Sequence, residues 1–190
     1  MINPLIAYLH LLQEIPDADA AIIDAYFERR PYKEGDFLFP GNKICTELFF
    51  VCKGVLRIVT TNDKGIDITH FFYKENQFCT ILQSFNEGSP TEPGIQASCD
   101  AEVLAISKPK LLELYQQLPY MKTLIDDAIQ QRLMDKVRIR NSYLGEDAEK
   151  QYKLFIMQQS DIALRVPLKD IASFLGITPQ SLSRIRKNLR

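Results

Sequence analysis

Residues 166–190 read Val-Pro-Leu-Lys-Asp-Ile-Ala-Ser-Phe-Leu-Gly-Ile-Thr-Pro-Gln-Ser-Leu-Ser-Arg-Ile-Arg-Lys-Asn-Leu-Arg. Leu168, Ile171, Ala172 and Leu175 recur at i, i+3, i+4 and i+7, the spacing of one helix face. Gly176 stands where a helix end needs a left-handed residue, which glycine supplies without steric cost. Thr178 has N-cap chemistry, and Pro179 suits the first helical position, where no N–H is required. The spacing predicts one helix over 168–175 and a second from 179 to about 189. Leu182, Ile185 and Leu189 turn inward on the second, and the small Ala172 lets the two helices cross closely.

The outer side of this pair is polar. Gln180, Ser181, Ser183, Arg184 and Lys187 carry base-edge and phosphate chemistries: Arg suits guanine, Gln suits adenine, hydroxyls and Lys suit phosphate oxygens. No Asp or Glu follows Asp170. A helix-turn-helix lays its second helix in the major groove with its N-terminal residues leading. The candidate DNA-binding residues are therefore Lys169, Thr178, Gln180, Ser181, Ser183, Arg184, Arg186 and Lys187. Charge supports the same end of the chain. Residues 151–190 hold seven Lys and Arg against two Asp, whereas the first 150 residues hold sixteen against twenty-two acids. Such a split points to a nucleic-acid-binding end; the competing reading is an ordinary packed hairpin with a solvated basic face.

Working toward the N-terminus, Ala148 to Gln159 reads as a helix and Asp161 to Pro167 as a linker. From Pro119 to about residue 144 a long helix is predicted. Met121, Leu124, Ile125, Ala128, Ile129, Leu133, Val137 and Leu144 recur along it at steps of three and four, a coiled-coil-like seam. This implies a dimerisation helix; the alternative is a helix lying along its own domain. Residues 31–107 change character, with short apolar runs between turn signals: Leu48–Cys52, Val55–Thr60, an Asn62–Gly65 turn, and Ile66, Ile68, His70 and Phe72 alternating with Asp67, Thr69 and Phe71. Many short strands with regular turns imply an antiparallel jelly roll. Two short helices precede it over 3–28, with Leu5, Tyr8, Leu9 and Leu12 on the inner face of the first. The fold class is α+β, divided as 1–118, 119–144 and 145–190.

Composition narrows the function. Hydrophobic residues make 46% and charged residues 25% of the chain, ordinary for a globular protein. No apolar run of about 18 residues predicts a membrane span, and the acidic N-terminal segment is read as mature sequence rather than a signal peptide. Cys45, Cys52, Cys79 and Cys99 form no C-x-x-C pair, which implies buried reduced thiols and a cytoplasmic protein without a metal site. With only His10 and His70, a jelly-roll metalloenzyme lacks its ligands, and no phosphate-binding loop is present. Enzyme activity and a cofactor are not expected.

The chain resembles a bacterial Crp/Fnr-family transcriptional regulator. Tyr32–Gly41, Leu48–Gly54, the long helix and Ile171–Ile185 carry the resemblance, in the order sensor, dimer helix, reading head. It implies a homodimer joined through 119–144 on a near-palindromic operator in double-stranded DNA, with RNA polymerase as a further partner. It also implies base reading by Arg184, with Gln180 and Ser181 at contact positions. Two departures stand out. Cyclic-nucleotide binders of the family carry Gly-Glu after a Phe and an Arg-Ser/Thr-Ala downstream, whereas here Phe78 is followed by Cys79-Thr80-Ile81-Leu82. No Lys or Arg lies between Lys74 and Lys108, so the expected effector is not cAMP. The family's iron–sulfur and haem sensors are likewise not matched, with no cysteine before Cys45. The sequence also stops at Arg190 without the family's β-hairpin wing. Affinity is then expected to lean on Arg184, Arg186, Lys187 and Arg190, with strong salt dependence. The competing function is a ligand-binding or protein-interaction β-roll whose helix pair no longer reads DNA.

Overall fold

The turn-punctuated region becomes eight antiparallel strands in the computed structural model, which describes residues 3–189. One sheet runs β1 (Glu28–Tyr32), β8 (Ala101–Ser107), β3 (Glu47–Lys53) and β6 (Phe78–Cys79). The other runs β2 (Phe37–Phe39), β7 (Gly94–Ala97), β4 (Leu56–Thr61) and β5 (Asp67–Tyr73). This is the expected jelly roll, closed by Phe49, Val51, Leu56, Ile95 and Val103 between the sheets. The β3–β4 turn depends on Gly54, at φ +92°, because a Cβ there would meet the Asp100 carbonyl oxygen at 2.4 Å.

Helices cover both outer faces. α1 (Pro4–His10), α2 (Asp17–Tyr26), α4 (Lys108–Gln117) and the start of α5 (Tyr120–Tyr143) pack on the first sheet through Leu5, Leu9, Phe50, Leu104, Leu114 and Ile125. α3 (Leu82–Glu87) follows β6. On the second sheet, Val55 and Phe72 share a core with α6 (Ala148–Gln158), α7 (Ser160–Ala163), α8 (Leu168–Phe174) and α9 (Pro179–Asn188). The rings of Phe72 and Phe174 stand 5.4 Å apart, and those of Phe155 and Phe174 5.6 Å. Each fully buried aromatic of this kind contributes about 1.5–3 kcal/mol, so the C-terminal helices are anchored to the roll.

Four local expectations are corrected. In α1–α2 the inner residues are Leu5, Leu9 and Ile23, while Leu12 stays exposed beyond the end of α1. The segment 160–163 is a short helix rather than a linker, because Ile162 is buried under α6 and α8. In β5 the buried residues are Thr69, Phe72 and Tyr73, while Ile68, and Ile66 just ahead of the strand, are exposed. The cause is a bulge: Ile58 pairs with Phe71 but Val59 pairs with Thr69, so His70 is skipped and the alternation changes phase.

The fourth correction concerns α5. Its apolar residues do not form one seam. Met121 and Ile125 are buried in the roll's own helical layer. Leu133 and Val137, by contrast, are 45% and 51% exposed, with Met134 beside them. At about 100° per residue, Leu133 and Val137 lie ~80° and ~120° round this 24-residue helix from Ile125, so the two stripes face different ways.

Candidate nucleic-acid interface and sensor pocket

The helix pair forms as its caps dictate. Gly176 adopts φ +69° after α8. The Thr178 hydroxyl accepts a hydrogen bond from the Ser181 N–H at 3.1 Å, starting α9. Leu182 is fully buried against Ile171 and Ala172. The opposite face is left to solvent: Gln180, Ser183, Arg184 and Lys187 line one shallow concavity together with Pro179. Thr178 serves as the cap, and its hydroxyl lies 3.0 Å from that of Ser181 on the flank of the helix. Lys169 is exposed on α8. Arg186 does not share the face: two residues on, it lies ~200° round the helix from Arg184, in the last turn where a cation suits the helix dipole. Arg190 lies outside the described residues.

Charge and hydrogen bonds dock this element on the roll. Arg57 of β4 is buried and donates to Asp67 Oδ2 at 2.7 Å, Thr69 Oγ1 at 2.9 Å and Gln96 Oε1 at 2.6 Å. Its Nη1 also sits 3.0 Å from Asp170 Oδ1 of α8, with both side chains 4% exposed. The placement provides charge attraction rather than an aligned hydrogen bond, since Oδ1 has no hydrogen-bond partner. Burial raises the Asp170 carboxyl above the usual range even though Arg57 pulls it down. Ser173 Oγ accepts from Thr69 N at 2.8 Å and donates to the Asp67 carbonyl at 2.7 Å. At the rim, Arg165 pairs with Glu75 at 2.6 Å and Lys74 with Asp161 at 2.7 Å.

A second feature lies between the roll and α5. Ile58, Phe78, Ile81 and Leu133 line a cavity of about 290 Å³ with Tyr73, Thr80 and His70. Two cations reach it from α5. Arg132 donates from Nη2 to the Phe72 carbonyl at 2.7 Å and lies 5.5 Å from the Tyr73 ring centre, while its Nε has no partner. Lys136 donates to the Tyr73 hydroxyl and stands 4.6 Å from that ring and 4.8 Å from Phe71. Burial pushes the Lys136 ammonium down to about 8 and raises the Tyr73 phenol well above its ordinary value. Among the described residues neither cation has a carboxylate partner; Asp135, the acid beside them on α5, pairs with Arg138 at 3.3 Å.

Comparison with known proteins bears on both features. Residues 29–118 match the family model of the cyclic nucleotide-binding domain. Over that stretch the chain resembles a cyclic nucleotide-binding domain, and its fold is the one seen in solved Crp/Fnr-family regulators. Among solved structures it is similar to the c-di-GMP-responsive global regulator CLP of Xanthomonas campestris, with 18% identity and a TM-score of 0.71 over 92% of this chain and 91% of that one. It is also similar to a Crp/Fnr-family regulator of Eubacterium rectale, with 20% identity and a TM-score of 0.71 over 96% and 87%. No curated protein sequence gives a significant match.

In this Crp/Fnr-type fold the pocket is not the cation-free one that residues 75–107 suggest. The roll contributes no Lys or Arg there, but α5 brings Arg132 and Lys136 to the same space. Sequence spacing contained a signal for this. Met121, Ile125, Ile129, Arg132, Lys136, Ile139 and Tyr143 follow at steps of four and three, so the two cations continue the inward stripe. The cysteines are free. Cys45 and Cys79 are buried, and burial pushes the Cys79 thiol up to about 12 and that of Cys52 to about 11; such thiols are poor nucleophiles at neutral pH. Among the described residues no cluster suits a metal ion, and no helix is long and apolar enough to cross a membrane.

Proposed function

We propose that the chain is a sequence-specific DNA-binding transcriptional regulator, a homodimer whose roll answers to an effector other than cAMP. One observation carries this reading: the capped second helix turns Gln180, Ser183, Arg184 and Lys187 outward on one acid-free face. In this division of labour residues 1–118 sense, 119–144 join two copies, and 145–190 read DNA. The exposed stripe of Leu133, Met134 and Val137 on α5 supports the joining role, since such a stripe on a long helix suits burial against a second copy.

Selection of bound sequences from a random duplex pool tests the proposal. An inverted repeat should emerge, and Arg184→Ala should cost about 1–3 kcal/mol and relax preference at one position per half-site. Affinity equal to that for random duplex at low salt would overturn it. That result would leave a ligand-binding or protein-interaction roll with a silent helix pair.

A further inference from the structure

The pocket between the roll and α5 combines an apolar wall with two cations. Its walls are apolar and aromatic, from Ile58, Phe78, Ile81 and Leu133. Two cations point into it from successive turns of one helix, with no acid opposite them. An unpartnered cation withdrawn from water costs free energy, and a buried guanidinium nitrogen without an acceptor adds to that cost. Arg132 offers such a nitrogen, its Nε. The ring faces of Tyr73 and Phe71 offset part of the penalty at Lys136 by attracting the ammonium. They do not neutralise it.

We propose that this pocket binds a small organic monoanion with an apolar body, its acid group held between Arg132 and Lys136 of α5. The proposal rests on the reading of the roll as a sensor and names the chemistry it senses. The volume of about 290 Å³ falls at the small end of ligand pockets, ~300–1,000 Å³. A nucleotide is disfavoured by the lining itself, because no Glu or Asp is present to take ribose hydroxyls. A bare inorganic anion is disfavoured too, since it leaves the apolar wall wet. An aryl or alkyl carboxylate satisfies both halves: its acid group supplies the counter-charge that Arg132 and Lys136 lack, and its body covers Ile58, Phe78 and Ile81. The anchor then belongs to α5 and the body to the roll, so occupancy fastens one to the other.

Fluorescence titration with anilinonaphthalene sulfonate and its neutral parent N-phenylnaphthylamine tests the proposal on the full chain. The two probes share a body and differ by the acid group. The sulfonate should bind with a stoichiometry of one per chain and at least about tenfold more tightly than the neutral probe. Decanoate should displace it and cAMP should not. Arg132→Met and Lys136→Met should each lower sulfonate affinity by about tenfold and remove the preference over the neutral probe, whereas Lys136→Arg should keep it. Equal affinity for the two probes would overturn the proposal. So would unchanged sulfonate binding in both methionine variants, or displacement by cAMP but not by decanoate. The far-ultraviolet spectrum and melting temperature of each variant separate lost binding from lost fold. The titration contains no DNA, so a negative duplex selection and a negative titration are independent results.

Discussion

Two regions of the molecule bury positive charge, and they do so in opposite ways. Arg57 is enclosed by Asp67, Thr69, Gln96 and Asp170, drawn from two strands and a distant helix. Arg132 and Lys136 face aromatic rings, one carbonyl and one phenol, with no carboxylate among their contacts. Arg57 joins the helix pair to the roll with counter-charges that the chain itself supplies. At α5 the chain supplies the cations and leaves the counter-charge to something else. Burying a charge in both places is costly, and only the first contains its own compensation.

The largest test of this contrast is Arg57→Met. It leaves Asp170 buried and uncompensated, so unfolding free energy should fall by about 3–5 kcal/mol in urea melts. Because burial already raises the Asp170 carboxyl, removing the arginine raises it further. A carboxyl whose folded pKa lies above its unfolded value destabilises as pH rises between the two. The loss should therefore be greatest near neutrality and shrink on acidification. Adding Asp170→Leu should recover much of the loss, since Asp67 is 45% exposed and can turn to water. Additive losses in the double variant would break the account of Arg57 as the partner of Asp170.

Ser173→Ala is the intermediate case. It strips the Thr69 N–H of its acceptor at the same interface and should cost about 1–3 kcal/mol, read as a lower urea midpoint. The smallest effect has the opposite sign. Lys136→Met removes a cation that nothing in the chain neutralises, and should raise stability by about 0.5–1 kcal/mol. The pH dependence gives a second reading. Around Lys136 stand Arg132 on the same helix, Tyr73 and His70 on β5 and Cys79 on β6. With the ammonium at about 8 instead of 10.5, the folded chain releases a proton that the unfolded chain keeps. Lysine's destabilisation is therefore present below about pH 8 and relieved as pH rises toward 10.5. Stability should climb across that window in the parent and stay flatter in Lys136→Met. A loss of stability in the variant would make Lys136 a structural residue and end the contrast.

The same contrast explains what the sequence made legible. Strands and closing helix pair announced themselves through local chemistry: Gly54 and the Asn62–Gly65 turn punctuate the roll, and Gly176 with Thr178-Pro179 delimits the two last helices. Each signal lies within a few residues of the feature it specifies. Arg57 and Asp170 gave no such signal, because each looks like surface charge until the fold brings them together. Arg132 and Lys136 misled in another way. Charged residues beside an apolar seam normally face water, and the facing wall of Tyr73 and Phe71 belongs to a remote strand. The bulge at His70 reversed the faces of β5 for the same reason: the extra residue is visible only against the partner strand.

The stripe bearing the cations and the stripe of Leu133 and Val137 are two sides of one rod. From Tyr120 to Tyr143 that rod contains neither proline nor glycine, so it has no joint in which a push could be absorbed. Mechanically α5 is a shaft. A push on the side of Arg132 and Lys136 meets no built-in kink before the side of Val137, and the first glycine beyond the rod is Gly145.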